Sequence, residues 1–367
     1  MTTPLADKIK TLIRMNGPIS VTDYFALCLA DPEHGYYLSR EPFGAGGDFI
    51  TAPEISQLFG EMIGIFMVHA WQQHGSPTPV NLVEVGPGRG TMMLDMLRVI
   101  RKLAPTLYDS LDVHMVETSE RLRGVQRVTL EAFSAKITWH AAFEDVPQGF
   151  TLIAANELFD AIPIRQFVKT PTGFRERLVG LDADDNLAFG IGVATIDPAL
   201  LPPGTGAEPD GTVFEVAPAR QAVMNALSMR LKQNGGSALI IDYGHLATSF
   251  GDTLQAVLHH DYDPPLAHPG QADLTSHVDF EDLARIARAT GIQINGAMHQ
   301  GDFLYGLGLA ERASRLANGK AEAEQRAISV AAERLAGAGE GKMGELFKVM
   351  AVSSPSVTLA PFRPVRS

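Results

Sequence analysis

Asn81-Leu-Val-Glu-Val-Gly-Pro-Gly-Arg-Gly-Thr91 is the stretch that decides how this chain folds. Val80, Leu82, Val83 and Val85 make a short apolar run of the kind buried within a parallel sheet, and Glu84 interrupts it one residue before its end. Glycines then stand at alternate positions, Gly86, Gly88 and Gly90. Met92, Met93, Leu94, Met96, Leu97 and Ile100 follow with helical spacing. The pattern predicts strand, glycine turn and helix. Glycine is required there because the turn takes positive φ and lets a ligand approach the backbone. The helix behind it begins with free N–H groups.

Two cofactor classes use such a turn. A dinucleotide site asks for G-x-G-x-x-G, but here the third glycine comes one residue early and Thr91 holds the place where that pattern has glycine. The spacing E-x-G-x-G-x-G resembles motif I of the class I S-adenosylmethionine (SAM) methyltransferases. SAM carries no pyrophosphate. Its amino-acid tail needs N–H groups for a carboxylate and an acid for an ammonium, and Glu84 suits the second. A tight turn with no ligand is the alternative.

Outward from this stretch, the composition bounds the rest. The chain of 367 residues holds one large domain or two modest ones, with ordinary charged and hydrophobic fractions. Its apolar runs are too short to span a bilayer, so no membrane insertion is expected. Residues 1–10 show neither a secretory core nor an Arg-rich transit pattern, which predicts a cytoplasmic location in a bacterial setting. Cys28 is the single cysteine and excludes an intramolecular disulfide. A formal net charge of -12 argues against broad nucleic-acid binding.

Before the glycine turn, helices are predicted over residues 2–14, 22–29 and 55–73. Between them, Asp31-Pro-Glu-His-Gly-Tyr-Tyr37 and Glu41 to Ser56 have loop chemistry, rich in aromatic and charged groups. Such a loop either covers a site or packs on itself. After the turn, Asp112-Val-His-Met-Val-Glu117 is a strand ending in an acid, placed to hold a ribose diol or simply to be solvated. Strands follow at 136–139 and 151–155, the latter leading into Asn156-Glu-Leu-Phe-Asp160. Residues 164–216 read as a β-rich antiparallel insertion, and 236–242 as another core strand ending at Asp242. Residues 245–276 read as a loop, with His259, His260, His268, Asp261 and Asp263. That loop lacks metal-ligand spacing, and no metal is expected. A late strand pair near 292 and 350 fits an antiparallel edge, and 353–367 reads as a tail. Neither a G-x-S-x-G elbow nor a P-loop occurs. The alternation predicts an α/β, doubly wound Rossmann-like sheet. An N-terminal helical cap is expected over residues 1–75, and the main domain over 76–367, with insertions at about 164–211 and 245–276.

With these segments assembled, the chain closely resembles the MidA-like family of class I SAM-dependent methyltransferases. This family includes a mitochondrial complex I assembly factor with protein arginine methyltransferase activity. The resemblance rests on Gly17-Pro-Ile-Ser20, Asp31 to Tyr37, Gly47-Asp-Phe-Ile-Thr-Ala-Pro-Glu-Ile-Ser56 and the Glu84–Thr91 turn. It continues through Asn156 to Asp160, Ile241-Asp-Tyr-Gly244, Asp273 to Phe280 and Met343 to Lys348. Leu158 departs from the aromatic expected there. The resemblance implies SAM as cofactor, with Glu84, Gly86, Gly88 and Gly90 at its methionine part and Glu117 at the ribose. Glu144 or Asp145 would lie near the adenine, and the Gly47 to Ile55 loop, with Asp48 and Thr51, would cover it. It implies a protein substrate carrying a target arginine, in a core subunit of respiratory complex I, and a mitochondrial matrix location for eukaryotic relatives. Asn156, Glu157 and Asp160, with Asp242 second, are the candidates for holding a guanidinium; each has a structural cap or loop contact as its alternative. A small-molecule O- or N-methyltransferase would share the cofactor residues, and so would a SAM-holding assembly chaperone without turnover.

Overall fold

In β1 (Val80–Val85) and β4 (Thr151–Asn156) every residue is buried, as continuous apolar runs require. They are central strands of the sheet in a computed structural model that describes residues 3–39, 51–133, 135–202 and 205–362. The other strands are β2 (Leu111–Val116), β3 (Lys136–His140), β5 (Gly236–His245), β6 (Gln293–His299) and β7 (Phe347–Ser354). Their order across the sheet is β6-β7-β5-β4-β1-β2-β3. Neighbours among β1 to β5 pair in parallel, while β7 is antiparallel to both β5 and β6. The antiparallel strand therefore lies one place in from the edge. The edge strand β6 runs with the rest.

Three helices matter for the site: α1 (Gln57–Gln73), α2 (Thr91–Leu103) and α3 (Glu120–Leu130). Helix α1 meets α2 at Gly60 and Gly64. An added Cβ there would stand 2.7 Å from the Cβ of Asp95 and 3.0 Å from the Cα of Met96. Only glycine lets the two backbones approach this closely. Leu58, Phe59, Met62 and Phe66 then join Met93, Met96, Leu97 and Leu82 in one buried cluster. The segment expected as a free tail joins it as well. Leu359 and Phe362 are buried, and the Phe362 ring packs 5.7 Å from Phe303 and 6.3 Å from Phe66. Isolated apolar residues among prolines carry no periodicity to announce this.

The chain divides into two compact units. One lies within residues 50–158, 223–246 and 280–367 and contains the sheet above; the other lies within 1–49, 159–222 and 247–279. The sequence boundary at residue 75 differs from this division. Helix α1 belongs with the sheet because its glycines and apolar face pack on α2, and the N-terminal segment shares a unit with both insertions. Within that second unit, Arg165–Thr170, Gly173–Leu181, Leu187–Thr195 and Val213–Val216 form an antiparallel sheet joined by Ile19–Ser20. The stretch expected as a loop, 245–276, also contains a small sheet of Gln255–Leu258, Asp261–Asp263 and Asp273–Thr275. Its strands are too short to show alternation. His259 and His260 turn the chain there with φ of 55° and 68°. Leu5, Ile9, Tyr24, Phe25, Leu254 and Leu274 form this unit's core. Among the described residues no helix is long and apolar enough to cross a membrane.

Candidate cofactor and active site

The register of the parallel strands sets the site. Val85 pairs with Val116 and with Ala155, and Ile241 with Asn156, so the carboxyl ends of β1, β2 and β4 finish level, and β5 passes this level at Ile241 and continues to His245. Glu84 to Thr91, Glu117, Asn156, Glu157 and Asp242 thus share one end of the sheet. Ligands of open parallel sheets bind outside this end.

The turn takes the conformation its glycines allow, with φ of 70° at Gly86, 52° at Gly88 and 81° at Gly90. An added Cβ at Gly86 would lie 3.0 Å from the Leu158 side chain, so space is limited on that side too. Glu84 is 2 % exposed. Its carboxyl accepts the Met93 N–H of the first turn of α2, and burial pushes its pKa up to about 8. Oε2 of Glu84 and Oδ1 of Asn156 are buried without a hydrogen-bond partner among the described residues. Buried acceptors are rarely left unmet. Open acceptors beside a glycine turn suit a cationic N–H donor such as the ammonium of the SAM tail, so the residues present fit that cofactor.

Glu117 follows β2 directly. Its carboxylate accepts the Ser119 N–H at 2.8 Å, and burial raises its pKa above the usual glutamate value. Gln126, which the sequence reading did not single out, ties the site together. Its Nε2 donates to the Gly88 carbonyl at 2.7 Å and reaches Glu117 Oε2 at 3.4 Å, while its Oε1 accepts from Trp139 Nε1 at 2.9 Å. The available signal was positional: Gln126 falls on the stripe of Leu122 and Leu130 in α3, where a core residue would stand. Gln126→Leu preserves volume and strands these partners. The expected result is a loss of roughly 1–3 kcal/mol in chemical denaturation and about tenfold weaker binding of S-adenosyl-homocysteine (SAH) by calorimetry. Unchanged SAH affinity would show that the link does not serve the turn.

The remaining candidates are placed as follows. Glu144 and Asp145 are exposed on the short turn Phe143–Asp145 after β3, where Asp145 accepts the Ala142 N–H at 3.3 Å. Thr51 precedes the helical turn Ala52–Ile55 and its side chain caps nothing there. Gly47 and Asp48 lie outside the described residues. Asn156 ends β4, 8 % exposed, and donates through Nδ2 to Glu157 Oε1 at 3.0 Å. The same oxygen accepts the Ala52 N–H at 3.2 Å. Glu157 has φ of 50°, a sparsely populated value for a side-chain-bearing residue, and strain of this kind gathers at functional sites. Asp160 falls in the other unit. Its Oδ1 accepts the Ala161 N–H at 2.8 Å. Buried Arg220 fixes the backbone around it, donating to the carbonyls of Asp160, Ile162 and His277 at 3.1, 3.1 and 2.6 Å. Asp242 is fully buried in β5, one residue past the last pairing with β4, and accepts the Tyr243 N–H at 3.0 Å. In the second unit His268 pairs with Asp263 at 2.8 Å.

Residues 62–298 match a family model described as "Putative S-adenosyl-L-methionine-dependent methyltransferase". The chain belongs to this methyltransferase family. The human protein arginine methyltransferase NDUFAF7, mitochondrial, is 36% identical over 335 residues, covering 84% of this chain and 74% of its own. The Drosophila melanogaster homologue is 35% identical, covering 95% and 84%. A crystal structure of a superfamily member from Burkholderia thailandensis, bound to SAH, superposes with a TM-score of 0.85 at 27% identity. It covers 99% of this chain and 95% of that one. The cofactor of this methyltransferase is therefore SAM.

Proposed function

We propose that this chain methylates an arginine side chain of a protein substrate, a core subunit of respiratory complex I during its assembly. The relatives named as protein arginine methyltransferases support the arginine. The observation that carries the reading to this site is the set of acceptors at the end of β4: the Oδ1 of Asn156, without a partner among the described residues, beside the Glu157 carboxylate.

SAM supplies an electrophilic methyl group on a sulfonium. The protein's part is to position and to compensate charge. A guanidinium is a poor nucleophile because its lone pair is delocalised, and a carboxylate that binds its N–H fork localises the charge. Glu157 and Asp160 are the acids assigned to this task, with Asp242 second, and Asn156 adds a neutral acceptor. Glu84 holds the ammonium of the methionine tail, the turn of Gly86, Gly88 and Gly90 seats its carboxylate, and Glu117 binds the ribose hydroxyls. Glu144 or Asp145 faces the adenine, and Gly47, Asp48 and Thr51 belong to the covering loop.

The test is transfer of a radiolabelled methyl group to an extract of cells lacking this protein, followed by hydrolysis and amino-acid analysis. Label in methylarginine of a complex I subunit supports the proposal. Label in free metabolites makes the protein a small-molecule methyltransferase, and no label with intact SAM binding makes it a chaperone.

The Glu84 assignment carries a pH dependence. With its pKa pushed up to about 8, Glu84 is mainly protonated in the ligand-free protein at neutrality. An ammonium favours the carboxylate, so binding releases a proton and SAH affinity rises from about pH 6 to about pH 8. Calorimetry in buffers of different ionisation enthalpy measures that release; proton uptake, or none, contradicts the assignment.

A further inference from the structure

We propose that Glu54 is a second carboxylate of the cofactor site and recognises the α-ammonium of the methionine tail. The proposal rests on the family's cofactor and on placing that tail at the glycine turn.

Glu54 lies on the helical turn Ala52–Ile55, far from the sheet strands in sequence. Thr91, the first residue of α2, donates its hydroxyl to Glu54 Oε1 at 2.6 Å. A carboxylate is thereby held at the last residue of the glycine turn. Glu84 reaches the same first turn of α2 from the end of β1, through the Met93 N–H. An acid near a helix start can be a simple cap that favours the helix dipole. The independent sign of a ligand is Glu84 itself, which is 2 % exposed and whose Oε2 has no hydrogen-bond partner among the described residues.

The neighbouring acids are already matched. Asp95 pairs with Arg98 at 2.8 Å, and Glu61 takes both Nε and Nη2 of Arg312 at 2.8 and 2.7 Å. Glu54 and Glu84 make no ion pair among the described residues. Two carboxylates converging on one helical turn, with no ion-pair partner among the described residues, define a site for a single ammonium whose N–H donors need acceptors. The SAM tail presents that group beside a carboxylate, and the carboxylate in turn suits the N–H groups of the glycine turn.

Glu54→Gln tests this, because the amide oxygen still accepts from Thr91 and only the charge is lost. Binding of SAH and of 5′-methylthioadenosine, which has the nucleoside and thioether but no amino-acid tail, is measured by calorimetry on both proteins. The expected result is about tenfold or greater weakening for SAH, the value of a charge-assisted hydrogen bond, with 5′-methylthioadenosine affinity unchanged. Equal losses for both ligands assign Glu54 to holding the turn and overturn the proposal, as does unchanged SAH affinity. A wild-type protein that binds neither ligand would remove the cofactor assignment itself, a separate and distinguishable failure.

Discussion

Gly88→Val abolishes measurable SAM and SAH binding while the protein still folds. Gly88 stands at φ of 52° in the middle of the turn, and its carbonyl accepts from Gln126 at 2.7 Å. A β-branched residue at this φ costs about 1–3 kcal/mol of backbone strain. Its side chain also fills space the methionine tail needs, so we expect at least a hundredfold loss in affinity, or about 2.7 kcal/mol. The sheet itself is insulated from the change. β1 ends at Val85 in its pairing with Val116 and Ala155, and Gly86, two positions before Gly88, continues the ladder by donating its N–H to the Val116 carbonyl at 3.1 Å. Calorimetry and thermal unfolding on the same preparation separate the two effects. Wild-type SAH affinity in Gly88→Val would show that the cofactor tail lies elsewhere.

Glu157→Gln and Asp160→Asn lower methyl transfer by ~10²–10³ and leave SAM affinity nearly intact, the usual cost of removing a contact made in the transition state. Two cations meet in this reaction, the sulfonium of the cofactor and the guanidinium of the substrate. Bringing them together away from water requires negative charge between or beside them. The Glu157 substitution is discriminating for a structural reason. Its Oε1 already accepts from Ala52 and Asn156, and glutamine preserves an acceptor for both. A loss of turnover in Glu157→Gln therefore reports the charge and not these two hydrogen bonds. If both variants turn over at the wild-type rate on an arginine-containing protein substrate, these carboxylates are structural and Asp242 is the next acid to remove.

The sheet and its glycine turn were legible in the sequence because their causes are local. An apolar run such as Val80–Val85 is buried whatever it packs against, alternate glycines demand positive φ, and the methionines after Thr91 repeat with the helical period. The family segments added the SAM cofactor, which the comparisons bear out. What required the tertiary structure is everything that depends on which distant atoms meet. Gln126 looks like any polar helical residue until α3 places it against the Gly88 carbonyl and Trp139. Glu54 is an unremarked acid until Thr91 donates to it across 37 positions of sequence. The grouping of the N-terminal segment with both insertions, and of α1 with the sheet, likewise follows from packing between segments far apart in the chain. Hydrophobic period and turn chemistry are properties of neighbouring residues and survive in a one-dimensional reading. Hydrogen-bond partners, the lack of one for Glu84 Oε2 among the described residues, and the close crossing at Gly60 are properties of the folded chain, fixed only when packing brings distant segments together.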